Sequence, residues 1–440
     1  MSDLAFEVEW EDPGGVSGPE LRATWARLAI RVGDERVTEV FDQRARTVRD
    51  AIYLPLYPLA EWLVDNWWSL LFEVETPGRS TAASYPRRHS LAAAREGYAL
   101  PDLTVVPTGE AVQLEWRPQA LPQCRVRFLA QGRAQLPLPQ FRRRLTDFVE
   151  LVLGRLHECG VGESHLASEW QAIAATDAEE AEFCQAAAAL GLDPYDLDGA
   201  TTDLILQASE ALPPSLEADF FAAAEPRDLG EACRGLVADL ERLQALRNAA
   251  SPLPQLKRKL GAWDGSGPPW EQGYDLARRL RQALGAEREV FPNAASLYRL
   301  FGLDEGTEGG ILTDGAAPRC YEALVAVNQA DAPGFLLCKR LDASRKFAFC
   351  RALLEYLHDG GGPARMVTRA NSGAQQRNRA FAAEFLTPAA LLRERISGPT
   401  IEDDEIQELA DHFGVSPMVV GHQLANHRLA EVIATDPKWV

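Results

Sequence analysis

Ser344 to His358 reads as a helix, and its spacing brings ionisable side chains together. Glu355 and His358 are three residues apart, so a carboxylate and an imidazole share one helix face. Glu384 falls on the next expected helix, over 378–385, and Cys350 lies nearby. Glu355, His358 and Glu384 are thus one candidate ligand set for zinc, which needs at least three good protein donors for hydrolytic chemistry. The plainer reading makes His358 a helix C-terminal histidine, favoured by the helix dipole. It makes Glu384 a carboxylate that is solvated or held by N–H donors. Arg351 and Glu355 are four apart and are expected to pair, for about 0.2–0.5 kcal/mol on an open helix surface.

Other residues invite chemistry and have plainer readings too. Leu409-Ala410, Phe413-Gly414-Val415-Ser416, Pro417 and Val420 have the form of a helix-turn-helix. Gly414 permits the turn, Ser416 suits an N-cap and Pro417 a first helical position. A DNA-reading helix would present Gln423, Asn426 and Arg428. The preceding helix carries Glu402, Asp403, Asp404, Glu405, Glu408 and Asp411, whereas phosphate contacts need Lys and Arg. DNA is therefore not an expected partner. Asn66-Trp67-Trp68 could form a binding platform, but large rings more often fill a core. Arg142, Arg143 and Arg144 are expected on a solvated helix face.

The elements that carry these residues fall into three stretches. Residues 1–135 alternate apolar and polar in Leu4–Trp10, in Ala29–Val32 and Val37–Phe41 around Gly33-Asp34, in Leu103–Val106 and Ala111–Trp116, and in Cys124–Leu129. That period marks half-buried strands. One helix, from Pro58 through Leu71, is expected among them. Residues 136–265 read as a helical middle, including an amphipathic Phe141–Leu156 and a helix closed by Gly191, with loops at 251–254 and 265–269. From 266 onward come a helix ending at Gly285, short strands at 324–327 and 334–338, the Ser344–His358 helix closed by glycines 360–362, and helices over 401–413 and 417–433. The fold class is α+β.

The 440 residues carry a formal net charge of −19, which disfavours broad binding to phosphate backbones. The seven cysteines (124, 159, 184, 233, 320, 338, 350) form no Cys-x-x-Cys pair and are expected to be buried, reduced thiols. No apolar run is long enough to span a bilayer and no secretory signal is expected, so a cytoplasmic protein without membrane association is expected.

Two blocks carry a resemblance. Phe381-Ala382-Ala383-Glu384-Phe385-Leu386-Thr387-Pro388 and Glu408-Leu409-Ala410-Asp411-His412-Phe413-Gly414-Val415-Ser416, with Val419, Leu424 and Asn426-His427 after them, are similar in sequence and spacing to the ImmA/IrrE family of zincin-like metallopeptidases. The resemblance covers about residues 268–437. It implies a C-terminal zincin-like, mostly helical domain over 266–440, and a His-Glu-x-x-His helix before the first block, whose histidines bind zinc and whose glutamate is the general base. Aligned on Phe347 and His358, this chain has Arg351 and Glu355 at the histidine positions, Ala352 at the glutamate and Gln375 near the third ligand. A guanidinium repels a metal ion and a methyl group moves no proton. The resemblance therefore implies a catalytically inactive pseudoenzyme without a cofactor. It would be a regulatory module that binds a protein partner, in a phage-defence, mobile-element or toxin–antitoxin context. The alternatives are a zinc endopeptidase with the displaced ligands Glu355, His358 and Glu384, and a helix-turn-helix transcriptional regulator.

Overall fold

In the computed structural model the chain is α+β, with 51% helix and 19% strand, β-rich in its N-terminal region and helical in its C-terminal part. The structure describes residues 3–13, 15–121, 124–246, 252–261, 267–314, 319–328, 332–358 and 362–433. The chain divides into two units, 1–205 and 206–440. The helical middle expected over 136–265 is distributed between them. The boundary expected at 265/266, glycines 360 and 361, and residues 434–437 of the resemblance lie outside the described residues.

Among its described residues the first unit holds three small sheets. Leu4–Trp10 pairs antiparallel with Trp25–Val32, which also pairs with Glu35–Arg36 and Ile52–Pro55. Val126–Phe128 pairs with Val40–Asp42 and Gln119–Ala120. Ala111–Arg117 sits between Asp102–Pro107 and Gly132–Pro137. The Gly33-Asp34 hairpin is shorter than expected. Its return strand ends at Arg36, and Val40–Asp42 joins the second sheet.

Two helices, Tyr57–Asp65 and Trp67–Phe72, replace the single expected helix, with the break at Asn66. The Asn66 amide donates back to the Trp62 carbonyl at 2.8 Å, a local bond that competes with helix propagation. Trp67 is buried edge-on against Trp170 at 5.0 Å, and Trp68 donates to the Tyr195 hydroxyl at 3.2 Å. These rings are core, not a platform. Leu138–Glu158 buries Phe141, Leu145, Phe148, Val149, Val152 and Leu156 on one stripe. Arg142 and Arg143 are exposed, and Arg144 pairs with Asp3 at 2.6 Å.

The second unit is built on a five-stranded mixed sheet in the order Asp304–Glu305, Gly310–Thr313, Pro333–Leu337, Ala323–Val327, Ala364–Val367. The first two pairings are parallel and the last two antiparallel. Pro333–Leu337 is buried throughout, as a strand covered on both faces must be. Asp342–Leu357 and Leu229–Gln244 both pack against the central strands. Two helix ends differ from expectation. Thr400–Glu402 is a strand, and the helix after it starts at Asp403 behind a capping box of Glu402 and Glu405. Pro417–Asn426 stops seven residues early, because Arg428 takes a left-handed φ of 50° and the chain leaves as the strand Glu431–Ile433, parallel to Thr400–Glu402. All seven cysteines are free, but only Cys184, Cys233 and Cys350 are buried and Cys159 is exposed.

Pro269–Leu284 and Gly373–Leu386 pack extensively against each other. Gly273 sits at the crossing, where a Cβ would collide with the Arg377 carbonyl and the Phe381 backbone nitrogen. Glycine to alanine in a helix normally stabilises by about 1 kcal/mol. Here overpacking reverses the sign, so Gly273→Ala is expected to destabilise by about 1–3 kcal/mol. Urea denaturation checks this, and a stabilised variant would contradict the close approach.

Candidate functional site

The Asp342–Leu357 helix turns Arg351 into the second unit, where only 2% of it is exposed. A buried guanidinium needs a counter-charge and acceptors for its N–H groups. One amino group donates to Glu322, which immediately precedes the Ala323–Val327 strand. The other donates to the Thr368 carbonyl at 2.6 Å and to Gln375 Oε1 at 2.8 Å. Nε is buried and has no partner among the described residues.

Gln375 uses every position of its amide. Oε1 also accepts the Thr368 N–H at 3.0 Å, while Nε2 donates to the Met366 carbonyl at 2.8 Å and to Asp219 Oδ1 at 3.2 Å. Ser372 caps its helix, with Oγ accepting from the Gln375 N–H.

The charges in this cluster perturb one another. Burial alone would raise the Glu322 carboxyl, but Arg351 and Lys339, the latter at 2.5 Å, hold it below its ordinary value. Burial pushes Glu355 up, against a hydrogen bond from the Asn378 amide. Burial, reinforced by Glu355, pushes Asp219 up to about 7. Arg351 is drawn down by burial and supported by Glu322, yet a guanidinium stays charged throughout the physiological range.

The structure therefore brings Arg351 and Gln375 into direct contact. It does not form the expected Arg351–Glu355 pair. Glu322, 29 residues earlier, takes the guanidinium, and Glu355 points to Asn378. Ala352 is fully buried in the apolar core. His358 is the C-cap of its helix and lines a small apolar cavity with Leu276, Leu280, Leu354 and Phe381.

Glu384 is held elsewhere. Its carboxylate accepts from Arg278 at 2.9 Å, Gln423 at 2.9 Å and the Ala389 N–H at 3.3 Å, and His427 Nε2 lies 3.3 Å away. Glu355, His358 and Glu384 are thus not gathered into one ligand set. Among the described residues no three His, Cys, Asp or Glu side chains are placed to hold a metal ion. Gln423, named above as a base reader, is buried and donates its amide nitrogen to Glu384 and the Thr387 carbonyl. Asn426 donates to the Tyr274 hydroxyl at 3.2 Å.

Sequence reasoning missed Glu322, Thr368, Asn378 and Asp219, since no local pattern links them to the Arg351 helix. It also missed a buried group in the first unit. His89 Nδ1 faces the Val105 carbonyl at 2.9 Å, and its Nε2 faces Glu73 at 3.0 Å. Arg88 donates to the same carboxylate, and Tyr85 stacks on the imidazole at 3.7 Å. Burial opposes the charge on Glu73, but His89 and Arg88 hold its carboxyl below the usual range.

Two measurements probe the Arg351 cluster. Arg351→Leu strands the Thr368 carbonyl and leaves Gln375 Oε1 with the Thr368 N–H alone, while Glu322 keeps Lys339. A loss of about 3 kcal/mol is expected in urea denaturation, at the low end for a broken buried pair; a change within about 0.5 kcal/mol would contradict it. Asp219 has a carboxyl raised in the folded state, so its contribution is most favourable below the unfolded value near 4 and is lost as pH rises through about 7. The stability of the wild type relative to Asp219→Asn should fall between about pH 4 and about pH 7 and level off above that. A constant difference would show that Asp219 ionises normally.

Compared with known proteins, the chain matches no family model and no curated protein.

Proposed function

We propose that the C-terminal part of this chain is a metal-free relative of the ImmA/IrrE peptidases that binds a protein partner without cutting it. The observation that carries the reading is the state of Arg351. The residue at the first zinc-histidine position of the resemblance is a buried cation, hydrogen-bonded to Gln375 at the third-ligand position. A fixed positive charge there opposes a divalent cation, and Ala352 offers no group to move a proton. A retained domain of this kind serves recognition, in a regulatory role beside phage-defence, mobile-element or toxin–antitoxin genes.

The experiment combines metal analysis of the purified full chain with a pull-down against the products of neighbouring genes. Zinc far below one per chain, together with retention of a neighbouring product as an uncut protein, is expected. One zinc per chain with chelator-sensitive proteolysis lost in Glu355→Ala would overturn the reading.

A further inference from the structure

The overall charge is −19, yet one end of the second unit's sheet gathers cations. The register sets this up. Ala323 pairs with Leu337 on one side and with Val367 on the other. One step outward, the Glu322 N–H donates to Val367 and the Glu322 carbonyl accepts from Cys338. Three chain crossings therefore end side by side. The central one carries Glu322, and the flanking ones continue into Lys339 and into Thr368-Arg369.

The helices add to the cations. Arg351 reaches Glu322 from the Asp342–Leu357 helix. Arg379, on the Gly373–Leu386 helix, clamps the loop that carries Arg369, donating to the Ala370 carbonyl at 3.2 Å and to Asn371 Oδ1 at 2.8 Å. Lys339 and Arg351 thus pair with Glu322, while Arg369 and Arg379 lie near enough to act on the same carboxylate through their charge. Arg369 is exposed and forms no hydrogen bond or ion pair among the described residues. Lys339 spends one of its three donors on Glu322 and is 33% exposed. Like-charge crowding is felt inside: burial, together with Arg351, pushes Arg379 down to about 10.

We infer that Lys339 and Arg369, backed by Arg351 and Arg379, form a binding site for a small phosphate-bearing anion. The Arg369 fork matches two phosphate oxygens and the Lys339 ammonium can meet a third. A dianion offsets the surplus of positive charge better than a single carboxylate does. Arg351 and Arg379, tied to backbone carbonyls, supply field and fix the loop. The inference does not depend on the partner-binding reading above, and its failure would leave that reading standing.

Calorimetric titration of the full chain with inorganic phosphate, and separately with adenosine monophosphate, tests the site at constant ionic strength. Wild type is expected to bind. Lys339→Ala/Arg369→Ala, made at exposed or half-exposed positions, should weaken binding at least about tenfold. Glu322→Gln, which removes the competing carboxylate, should tighten it, an outcome that loss of fold cannot produce. Thermal unfolding of each variant verifies folding. Tighter binding of the nucleotide identifies a nucleotide as the source of the phosphate, and equal binding identifies the free anion; both support the site. Absence of binding by wild type, or equal affinity in wild type and the double variant, overturns it.

Discussion

A positive charge withdrawn from water has to be met by oxygen atoms on all sides where its N–H groups point. Arg351 imposes that condition on the second unit. Its counter-charge comes from the start of a central strand, its carbonyl acceptor from the loop after the neighbouring strand, and its amide acceptor from the following helix. Through Gln375 the same set reaches Asp219 on the Pro214–Ala223 helix. Apolar contact between these elements is unspecific about register, whereas this network is satisfied in one register only.

Glu384 repeats the arrangement with the opposite sign. One buried carboxylate draws Arg278 from Pro269–Leu284, Gln423 from Pro417–Asn426, and a backbone N–H from the turn after its own helix. The Pro417–Asn426 helix is therefore fastened to the rest by polar atoms as well as by Val420 and Leu424 in the core. Side chains that looked available for chemistry, Glu384 and Gln423 among them, are consumed in holding the fold.

Much of the architecture was legible because periodicity is local. Leu4–Trp10 and the hairpin of Asp102–Pro107 with Ala111–Arg117 alternate cleanly, and the helix faces of Leu138–Glu158 and Asp342–Leu357 are marked by their apolar spacing. Asp304–Glu305 and Ala364–Val367 were not legible, being two and four residues long and strand-like only through their neighbours. Ile401 was assigned to a helix because its apolar side chain fits the helical stripe that follows. In the candidate site, Arg351 was visible as a residue that cannot bind metal, but its partner was misassigned to Glu355. Spacing of four along a helix is readable from sequence; a carboxylate 29 residues earlier, or Asp219 on a separate helix, is brought in only by the folded chain.

The full use of the Gln375 amide limits how this region can change. A carboxylate at position 375 would lose both donors and face the Met366 carbonyl and Asp219 with repulsive charge. An imidazole at position 351 would release Glu322, the Thr368 carbonyl and the Gln375 oxygen together. Each of these two exchanges breaks several buried hydrogen bonds at once, so either one alone costs stability before it could help to seat a divalent ion. The polar network fixes which sequences are neighbours of this one as firmly as it fixes the fold.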